Sequence, residues 1–346
     1  MHNPLVSVVI SNKNGLQWLP KCIASLRQQT YFDQMEVIIA DNRSTDGSPA
    51  LARQELMGFP RATVIINEKD GGIAGGQNAG AKAAKGRVLF FLNNDTWLES
   101  DCLENLVREF DVHKAAAASP LTMDYDDDTF QSIGNQGMDL FGLPDSGHPL
   151  DHTAECFMAT GCGFIVDAEL FRRVGTFDEE YFLNCEETDL SWRILLAGGK
   201  IIGVPAARLH HRGAAGVNPA GQTKVIESRT SDTKRYLSNR NWILSLLKNS
   251  QHIFLLLLIP HLLMLIAEAV VSLVLIRRWS HVRRAYLEAI ADAFRMMPHV
   301  RMWRRKIAGF RVRSDFWMLR FLRLQPSRWE EVKRLFIVGV PRVDKR

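Results

Sequence analysis

The first 120 residues alternate short apolar runs with segments of helical periodicity. Apolar runs lie at residues 5–10, 36–40, 62–66 and 88–92, and they predict buried strands. Residues 18–29 place their apolar side chains at helical spacing. Continuous apolar strands that are separated by helices predict an α/β fold, with a mostly parallel sheet and helices on both faces.

The pattern changes after residue 120. Residues 121–155 show little periodicity and predict an irregular excursion over the sheet. Residues 200–204 and 208–211 predict two further strands, and residues 225–248 predict a long helix. Ile253–Ile276 then forms an apolar run of 24 residues. We therefore divide the chain into a first region, 1–250, and a basic, apolar and helical region, 251–346.

Charge separates these regions as well. From Asn241 to the end there are 20 Lys/Arg and 7 Asp/Glu, which leaves about +13, whereas residues 1–240 carry about −8. A segment that is both basic and apolar favours an anionic surface as its partner. Five cysteines in a chain of this length exclude a disulfide scaffold, and the lack of a C-x-x-C pair argues against a structural zinc site. Reduced thiols and the lack of a signal-peptide pattern favour a cytoplasmic location for the body of the protein.

Polar side chains follow three of the predicted strands. They lie at residues 11–14, 41–42 and 93–95, where an open parallel sheet binds its ligands, and they predict a nucleotide site. A glycine-rich loop at 71–76 opens a predicted helix at 77–85. Because these glycines follow the third strand and not the first, a dinucleotide dehydrogenase is excluded, and no P-loop motif is present.

Seven motifs now occur in a fixed order across residues 5–250, and they resemble those of the inverting family 2 glycosyltransferases with the GT-A fold. The sequence is most similar to the rhamnosyltransferase-type members that build bacterial surface polysaccharides. The resemblance implies a Rossmann-like catalytic domain over 1–250. The motifs are residues 6–10, 39–42 with Ser44 and 46–48, 72–80, 92–96, 174–179, 186–190 with Arg193, and 211–213.

The resemblance implies a Mg²⁺ or Mn²⁺ ion that binds the donor diphosphate. Residues 93–95 occupy the family's D-x-D position, and only Asp95 offers a carboxylate, so Asp95 is the expected metal ligand. His211 is the expected second ligand, with His210 as the alternative. Asn94 is expected near the ribose or the sugar.

The nucleotide is expected to contact further residues of these motifs. By the family pattern Asp41 hydrogen-bonds the nucleobase, and Ser11 contacts the base as well. A turn-forming Asp-Asn pair is the alternative explanation for Asp41. The glycine-rich segment 72–80 is expected to bring the backbone close to the nucleotide, with Asn78 on the first helical turn.

Inverting transfer requires a base that takes the proton of the acceptor hydroxyl. The resemblance assigns this role to Glu187, and Asp189 is the second candidate. Crowding with Glu186 is expected to raise the pKa of one of these carboxylates. Arg193 is expected to pair with Asp189 or to reach the diphosphate.

The apolar run Ile253–Ile276 allows three interpretations: an interfacial helix, a membrane span, or a helix in the protein core or in a homo-oligomer interface. Its polar residues His261, Glu268 and Ser272 share one narrow helical face. Arginines alternate with aromatic residues after this run, which favours an anionic membrane surface. No RNA-binding motif accompanies them, so we expect no nucleic-acid partner.

These observations predict a metal-dependent glycosyltransferase at the cytoplasmic face of the inner membrane. The resemblance implies a reaction that moves a sugar, with dTDP-rhamnose as the expected donor, to a lipid-linked saccharide acceptor. A non-catalytic sugar-nucleotide-binding scaffold protein of polysaccharide assembly is the alternative.

Overall fold

The computed structural model describes residues 5–145, 147–213, 229–324 and 342–344. Its main sheet has ten strands, in the order β3-β2-β1-β4-β9-β6-β10-β5, with β7 paired to β6 and β8 to β10. A separate pair joins β11 and β12. The strands are β1 (Val6–Asn12), β2 (Met35–Asp41), β3 (Ala62–Ile66), β4 (Val88–Asn93), β5 (Thr96–Leu98), β6 (Ala117–Asp124), β7 (Phe130–Ser132), β8 (Ala154–Cys156), β9 (Gly163–Asp167), β10 (Ile201–His211), β11 (Arg229–Ser231) and β12 (Arg342–Asp344).

The first four strands pair in parallel, as their continuous apolar sequences predict. The second half of the sheet is mixed, because β9 runs antiparallel to both β4 and β6. β10 is parallel to β6 and antiparallel to β5. The α/β class is thus confirmed, and the parallel arrangement applies to the half that carries the nucleotide motifs.

The helices cover both faces of the sheet, also as predicted. One apolar core joins the sheet to α1, α2 and α4, and a second core joins its other face to α3, α5, α6 and C-terminal residues. The helices are α1 (Leu19–Arg27), α2 (Ser48–Glu55), α3 (Gly72–Ala83), α4 (Cys102–Val112), α5 (Ala168–Arg173), α6 (Glu186–Leu196), α7 (Asp232–Asn249), α8 (Ile253–Leu256), α9 (Leu258–Ile276), α10 (Trp279–Val282), α11 (Ala289–Arg295), α12 (Met297–Phe310) and α13 (Asp315–Met318). Three 3₁₀ turns at Phe32–Gln34, Glu179–Tyr181 and Leu319–Phe321 and a π-helical turn at Arg283–Glu288 complete them.

The glycine-rich segment differs from its prediction. The helix begins at Gly72 and not at residue 77, so most of these glycines lie inside α3. A Cβ atom on Gly76 would lie 2.2 Å from Ser11 Oγ, and one on Gly80 would lie 2.4 Å from a methyl group of Val9. The glycines therefore let α3 pack closely on β1, and they do not form an open loop.

Two further predictions are corrected by tertiary pairing. The segments 200–204 and 208–211 form the single strand β10, with a bulge between Val204 and Arg208. Residues 121–155, which predict an irregular excursion, include the end of β6 and the short strands β7 and β8. These short strands form because their backbone groups hydrogen-bond to β6 and β10. Periodicity over only a few residues does not predict them.

The apolar core continues across residue 250. Trp303, Ile307 and Phe321 pack in the same core as Trp192 of α6. Arg304 donates hydrogen bonds to the carbonyls of Leu247 and Ser250. Part of the basic region is therefore bound to the first region and does not face a partner.

Within the described residues, Ile253–Ile276 is long and apolar enough to cross a membrane by length and composition. The segment is divided at Leu257 into α8 and α9. His261 Nδ1 lies 2.8 Å from the Phe141 carbonyl, and Ser272 Oγ lies 3.0 Å from the Tyr286 hydroxyl. The polar face of α9 thus contacts protein.

Candidate active site

A cavity of about 420 Å³ opens at the carboxyl edge of the sheet. Its walls come from the end of β4, the loop before β9, the turn before α6, the end of β10 and the start of α7. The lining residues are Ile73, Asn93, Gly161, Cys162, Leu183, Asn184, Cys185, Glu186, Glu187, His211, Thr230, Lys234, Arg235, Ser238 and Trp242.

The structure brings the two expected metal ligands together. Asp95 follows β4, and His211 ends β10 where that strand pairs with β5. Their side chains approach to 3.5 Å between Asp95 Oδ1 and His211 Nε2. His210 points away from this pair, because its ring stacks on Trp97 at 3.7 Å and its Nδ1 lies 2.9 Å from the Asp124 carbonyl. Of the two histidines, His211 is the one placed to bind a metal.

The surroundings of His211 favour positive charge. Burial acts to lower the pKa of His211, but Cys162, Asp95 and Asp124 outweigh it and raise the pKa to about 9. Such a site would also attract a divalent cation. The described residues contain no cluster of three or more His, Cys, Asp or Glu side chains that could hold a metal. A carboxylate and an imidazole alone would leave most ligand positions of a Mg²⁺ or Mn²⁺ ion open.

Glu187 lines the same cavity from the first turn of α6. Burial raises the pKa of Glu187, and burial together with the charge of Glu187 raises the pKa of Glu186 well above its usual range. Glu186 Oε2 is buried and has no hydrogen-bond partner among the residues described. Gly161 leaves space beside Glu187, because a Cβ atom there would lie 3.2 Å from its side chain. A carboxylate with a raised pKa at an open cavity can act as a general base.

A turn with an unusual backbone presents this carboxylate. Phe182, Asn184 and Cys185 all adopt positive φ angles directly before α6. The fully buried side chain of Asn241 in α7 holds the turn, because its Nδ2 lies 2.8–3.0 Å from the carbonyls of Tyr181, Leu183 and Asn184. The position of Glu187 thus depends on a helix that lies more than 40 residues later in the chain.

Asp189 and Arg193 lie elsewhere. Both side chains are fully buried, and Arg193 Nη2 donates to Asp189 Oδ2 at 2.8 Å. Burial acts to raise the pKa of Asp189, but the charges of Arg193 and Lys248 outweigh it and hold the pKa below its usual value. The pairing that the sequence predicts is thus present. We do not retain Asp189 as a base or Arg193 as a diphosphate ligand, because neither reaches the cavity.

The structure also changes the role expected for Asp41, which was hydrogen bonding to the nucleobase. It is fully buried, and its oxygens accept hydrogen bonds from Asn12 Nδ2 and from the backbone and hydroxyl groups of Ser44. This is the turn-forming arrangement, and it leaves little capacity for a nucleobase. Asn12 in turn accepts from Asn94 Nδ2 at 2.8 Å, so Asp41 positions Asn94 through Asn12. Ser11 is half-buried at the same edge, where its Oγ accepts from Asn42 at 3.2 Å.

Asn78 lies in the second turn of α3 and not in the first. Its Oδ1 accepts from the backbone N–H of Phe177 at 3.0 Å, and its Nδ2 donates to the Phe177 carbonyl at 2.9 Å. The side chain therefore joins α3 to the loop before α6. Its predicted contact with the nucleotide would require these hydrogen bonds to break.

Sequence reasoning missed one wall of the cavity. Lys234, Arg235, Ser238 and Trp242 lie on α7, which the sequence predicts only as a long helix. A signal was present nonetheless. Two adjacent cations lie in the first turns of a helix, where the helix dipole opposes them.

Solved structures identify the fold of this chain. The mannosyltransferase PcManGT from Pyrobaculum calidifontis, solved in complex with GDP-Man and Mn²⁺, superposes with a TM-score of 0.53 at 16% identity. The match covers 90% of this chain and 86% of that protein. At this identity the likeness shows the fold alone, which is the GT-A fold of glycosyltransferases.

Sequence comparisons give the family. Residues 7–175 match the model of glycosyl transferase family 2, and the chain therefore carries a domain of that family, as its motifs predict. The dTDP-rhamnosyl transferase RfbF of Shigella flexneri is 26% identical over 281 residues, which cover 79% of this chain and 87% of RfbF. The protein EpsH of Bacillus subtilis is 32% identical over 108 residues, which cover 31% of each chain. The chain matches between 12% and 34% of the length of several other relatives.

Proposed function

We propose that this chain is a metal-dependent inverting glycosyltransferase of polysaccharide synthesis. The observation that carries the proposal is that Glu187 and His211, the latter paired with Asp95, line one cavity. Glu187 would take the proton of the acceptor hydroxyl as that oxygen attacks the anomeric carbon. Asp95 and His211 would hold a Mg²⁺ or Mn²⁺ ion, which stabilises the negative charge of the departing diphosphate when it is bound. The names of the relatives support this class of enzyme.

We further propose dTDP-rhamnose as the donor. RfbF supports it, because it is named as a dTDP-rhamnosyl transferase and aligns over most of both chains. The cavity is large enough for a sugar next to a diphosphate, and Asn94 and Ser11 lie at the neighbouring edge of the sheet.

A thermal-shift screen tests the donor and the metal together. We expect dTDP with Mn²⁺ to raise the Tm by several degrees more than UDP, GDP or CDP, and EDTA to remove most of the shift. Asp95→Asn should abolish the metal-dependent part, because it removes the carboxylate ligand. Asp33→Asn, at an exposed carboxylate, serves as the control. A metal-dependent shift of equal size in Asp95→Asn would contradict the assignment of Asp95.

The exposed face of α9 supports an acceptor at a membrane. Its polar side contacts the protein, whereas its other side exposes large apolar residues, and exposed Arg277 and Trp279 follow directly. The protein contacts at His261 and Ser272 span about 16 Å of the helix. A helix attached along its length fits an interfacial position better than a span. We therefore propose a lipid-linked acceptor at the cytoplasmic face of the membrane. The exposed apolar residues of α9 are Ile259, Leu263, Ile266, Val270, Val271, Leu273, Val274 and Leu275, and Leu256 of α8 precedes them.

Vesicle binding tests this membrane face. The triple variant Leu263→Ser, Ile266→Ser, Val270→Ser should bind vesicles that contain anionic lipid roughly 10- to 100-fold more weakly. It replaces three exposed apolar side chains that would insert into the lipid. Met57→Ser with Val112→Ser removes equally exposed apolar side chains elsewhere and should leave binding unchanged. Unchanged vesicle binding of the triple variant, with loss of a dimer in sedimentation, would instead assign α9 to an interface between copies.

A further inference from the structure

The N-terminal turns of α7 place two cations in the cavity that holds Glu187. Lys234 and Arg235 both line it, and Ser231 caps the helix by accepting from the Lys234 N–H at 3.1 Å. Neither side chain makes an ion pair with any other residue in the described parts of the chain. Two other cations show the contrast, since Lys248 of α7 contacts Asp178 and Arg278 contacts Asp232.

This position is costly for the folded protein. The N-terminus of a helix carries partial positive charge, which repels a lysine and an arginine in its first turns. Burial lowers the pKa of Lys234, which means that the charged amine loses hydration in the fold. Helix stability therefore does not explain the two cations. Together with the helix dipole, they form a positively charged wall suited to an anion.

Resting on the function proposed above, we infer that Lys234 and Arg235 bind a phosphate or diphosphate of the acceptor, beside the hydroxyl that Glu187 deprotonates. The proposed function already assigns the donor diphosphate to the ion at Asp95, which follows β4, and His211, which ends β10. The new site lies on α7, and it gives the cavity a second place for an anion.

The same helix leads from this site toward lipid. Ile73, Leu183 and Trp242 add apolar surface to the cavity. Trp242 belongs to the apolar cluster that includes Leu265 and Ala269 of α9. Trp242 lies seven residues after Arg235 and shares its face of α7. The face that carries the cations therefore continues to the cluster with the proposed membrane helix, which suits a phosphate that is attached to a lipid.

Calorimetry with farnesyl phosphate, farnesol and inorganic phosphate tests the inference. The titrations use the full chain in EDTA, below the aggregation concentration of the prenyl compounds, so that any metal site at Asp95 is silent. We expect farnesyl phosphate to bind roughly 10- to 100-fold more tightly than farnesol. The double variant Lys234→Met, Arg235→Met should lose this preference. Arg53→Met with Lys82→Met removes the same net charge from exposed positions and should keep it.

Two further measurements separate this site from the donor site and from a structural role. The affinity of the double variant for dTDP with Mn²⁺ should stay within about twofold of the original. Its Tm should stay equal or rise, because cations that the helix dipole opposes have been removed. Loss of dTDP affinity would assign the cations to the donor and overturn the inference, as would an unchanged preference for farnesyl phosphate. Equal binding of inorganic phosphate would overturn the lipid as the source of the anion. A failure of dTDP to bind any variant would count against the proposed function and not against this site.

Discussion

Glu187→Gln is expected to lower kcat by about 10²- to 10⁴-fold while the affinity for the donor nucleotide stays unchanged. The amide keeps the size of the side chain but cannot accept the proton of the acceptor hydroxyl. Glu187 lines the cavity on the first turn of α6, and its pKa is raised by burial. Single-turnover transfer, measured beside nucleotide binding by calorimetry, separates the two effects.

The pH profile provides a second readout of the same residue. Because the folded pKa of Glu187 is raised, kcat/KM of the original enzyme should fall as the pH drops through a value above 4.5, where the base becomes protonated. The residual activity of Glu187→Gln should lack this acid limb. Glu169→Gln, at an exposed glutamate, is the matched control. Unchanged turnover in Glu187→Gln would rule out this base, and nucleotide binding without any transfer by the original protein would favour the scaffold alternative.

Lys248→Met is expected to destabilise the fold by about 3–5 kcal/mol. Lys248 is fully buried and contacts both Asp178 and Asp189, the latter at 3.0 Å. Its removal takes away a positive charge that both buried carboxylates share. His299, whose Nε2 lies 2.9 Å from Asp178, and Arg193 remain, but each is already engaged. Urea unfolding at neutral pH measures the loss.

Low pH should reduce the difference in unfolding free energy between the original protein and Lys248→Met. The pKa of Asp178 in the original protein is held low: burial acts to raise it, but Lys248 and His299 outweigh that effect. This carboxylate therefore stabilises the fold above its unfolded pKa, and the contribution is lost as the pH falls through the folded pKa. In Lys248→Met the folded pKa of Asp178 should rise. Asp178 of the variant then becomes protonated at a higher pH, which removes its unpaired buried charge. Arg295→Met, whose side chain is 74% exposed, should cost under about 1 kcal/mol. An equally small loss in Lys248→Met would show that the buried charges do not hold α6 and α7 together.

Much of the sheet edge that is expected to bind the nucleotide can be predicted from the sequence. Strands β1 to β4 each contain a mainly apolar run, so their parallel pairing and the polar residues at their carboxyl ends can be predicted. The residues Asp95, Glu187 and His211 also come from local motifs, because each motif fixes a short segment. The polar face of α9 is likewise visible as a spacing of seven and four residues between His261, Glu268 and Ser272.

Side-chain roles that depend on distant partners could not be predicted. By their motifs, Asp41 and Asp189 resemble acidic site residues. In the structure, Asp41 accepts hydrogen bonds from Ser44 and Asn12. Asp189 forms ion pairs with Arg193 and Lys248. Whether a carboxylate meets a ligand or a buried cation depends on which element packs against it, and the local sequence contains no record of that packing.

The sequence by itself determined the α/β class, the parallel half of the sheet, the order of the family motifs and the apolar run of α9, because each depends on the periodicity or spacing of nearby residues. The tertiary structure decided how β9 and β10 complete the sheet and how Asn241 holds the turn before Glu187. It also decided that α7 forms a wall of the cavity with Lys234 and Arg235. These features join segments that lie tens of residues apart, and only burial of the shared core brings them together.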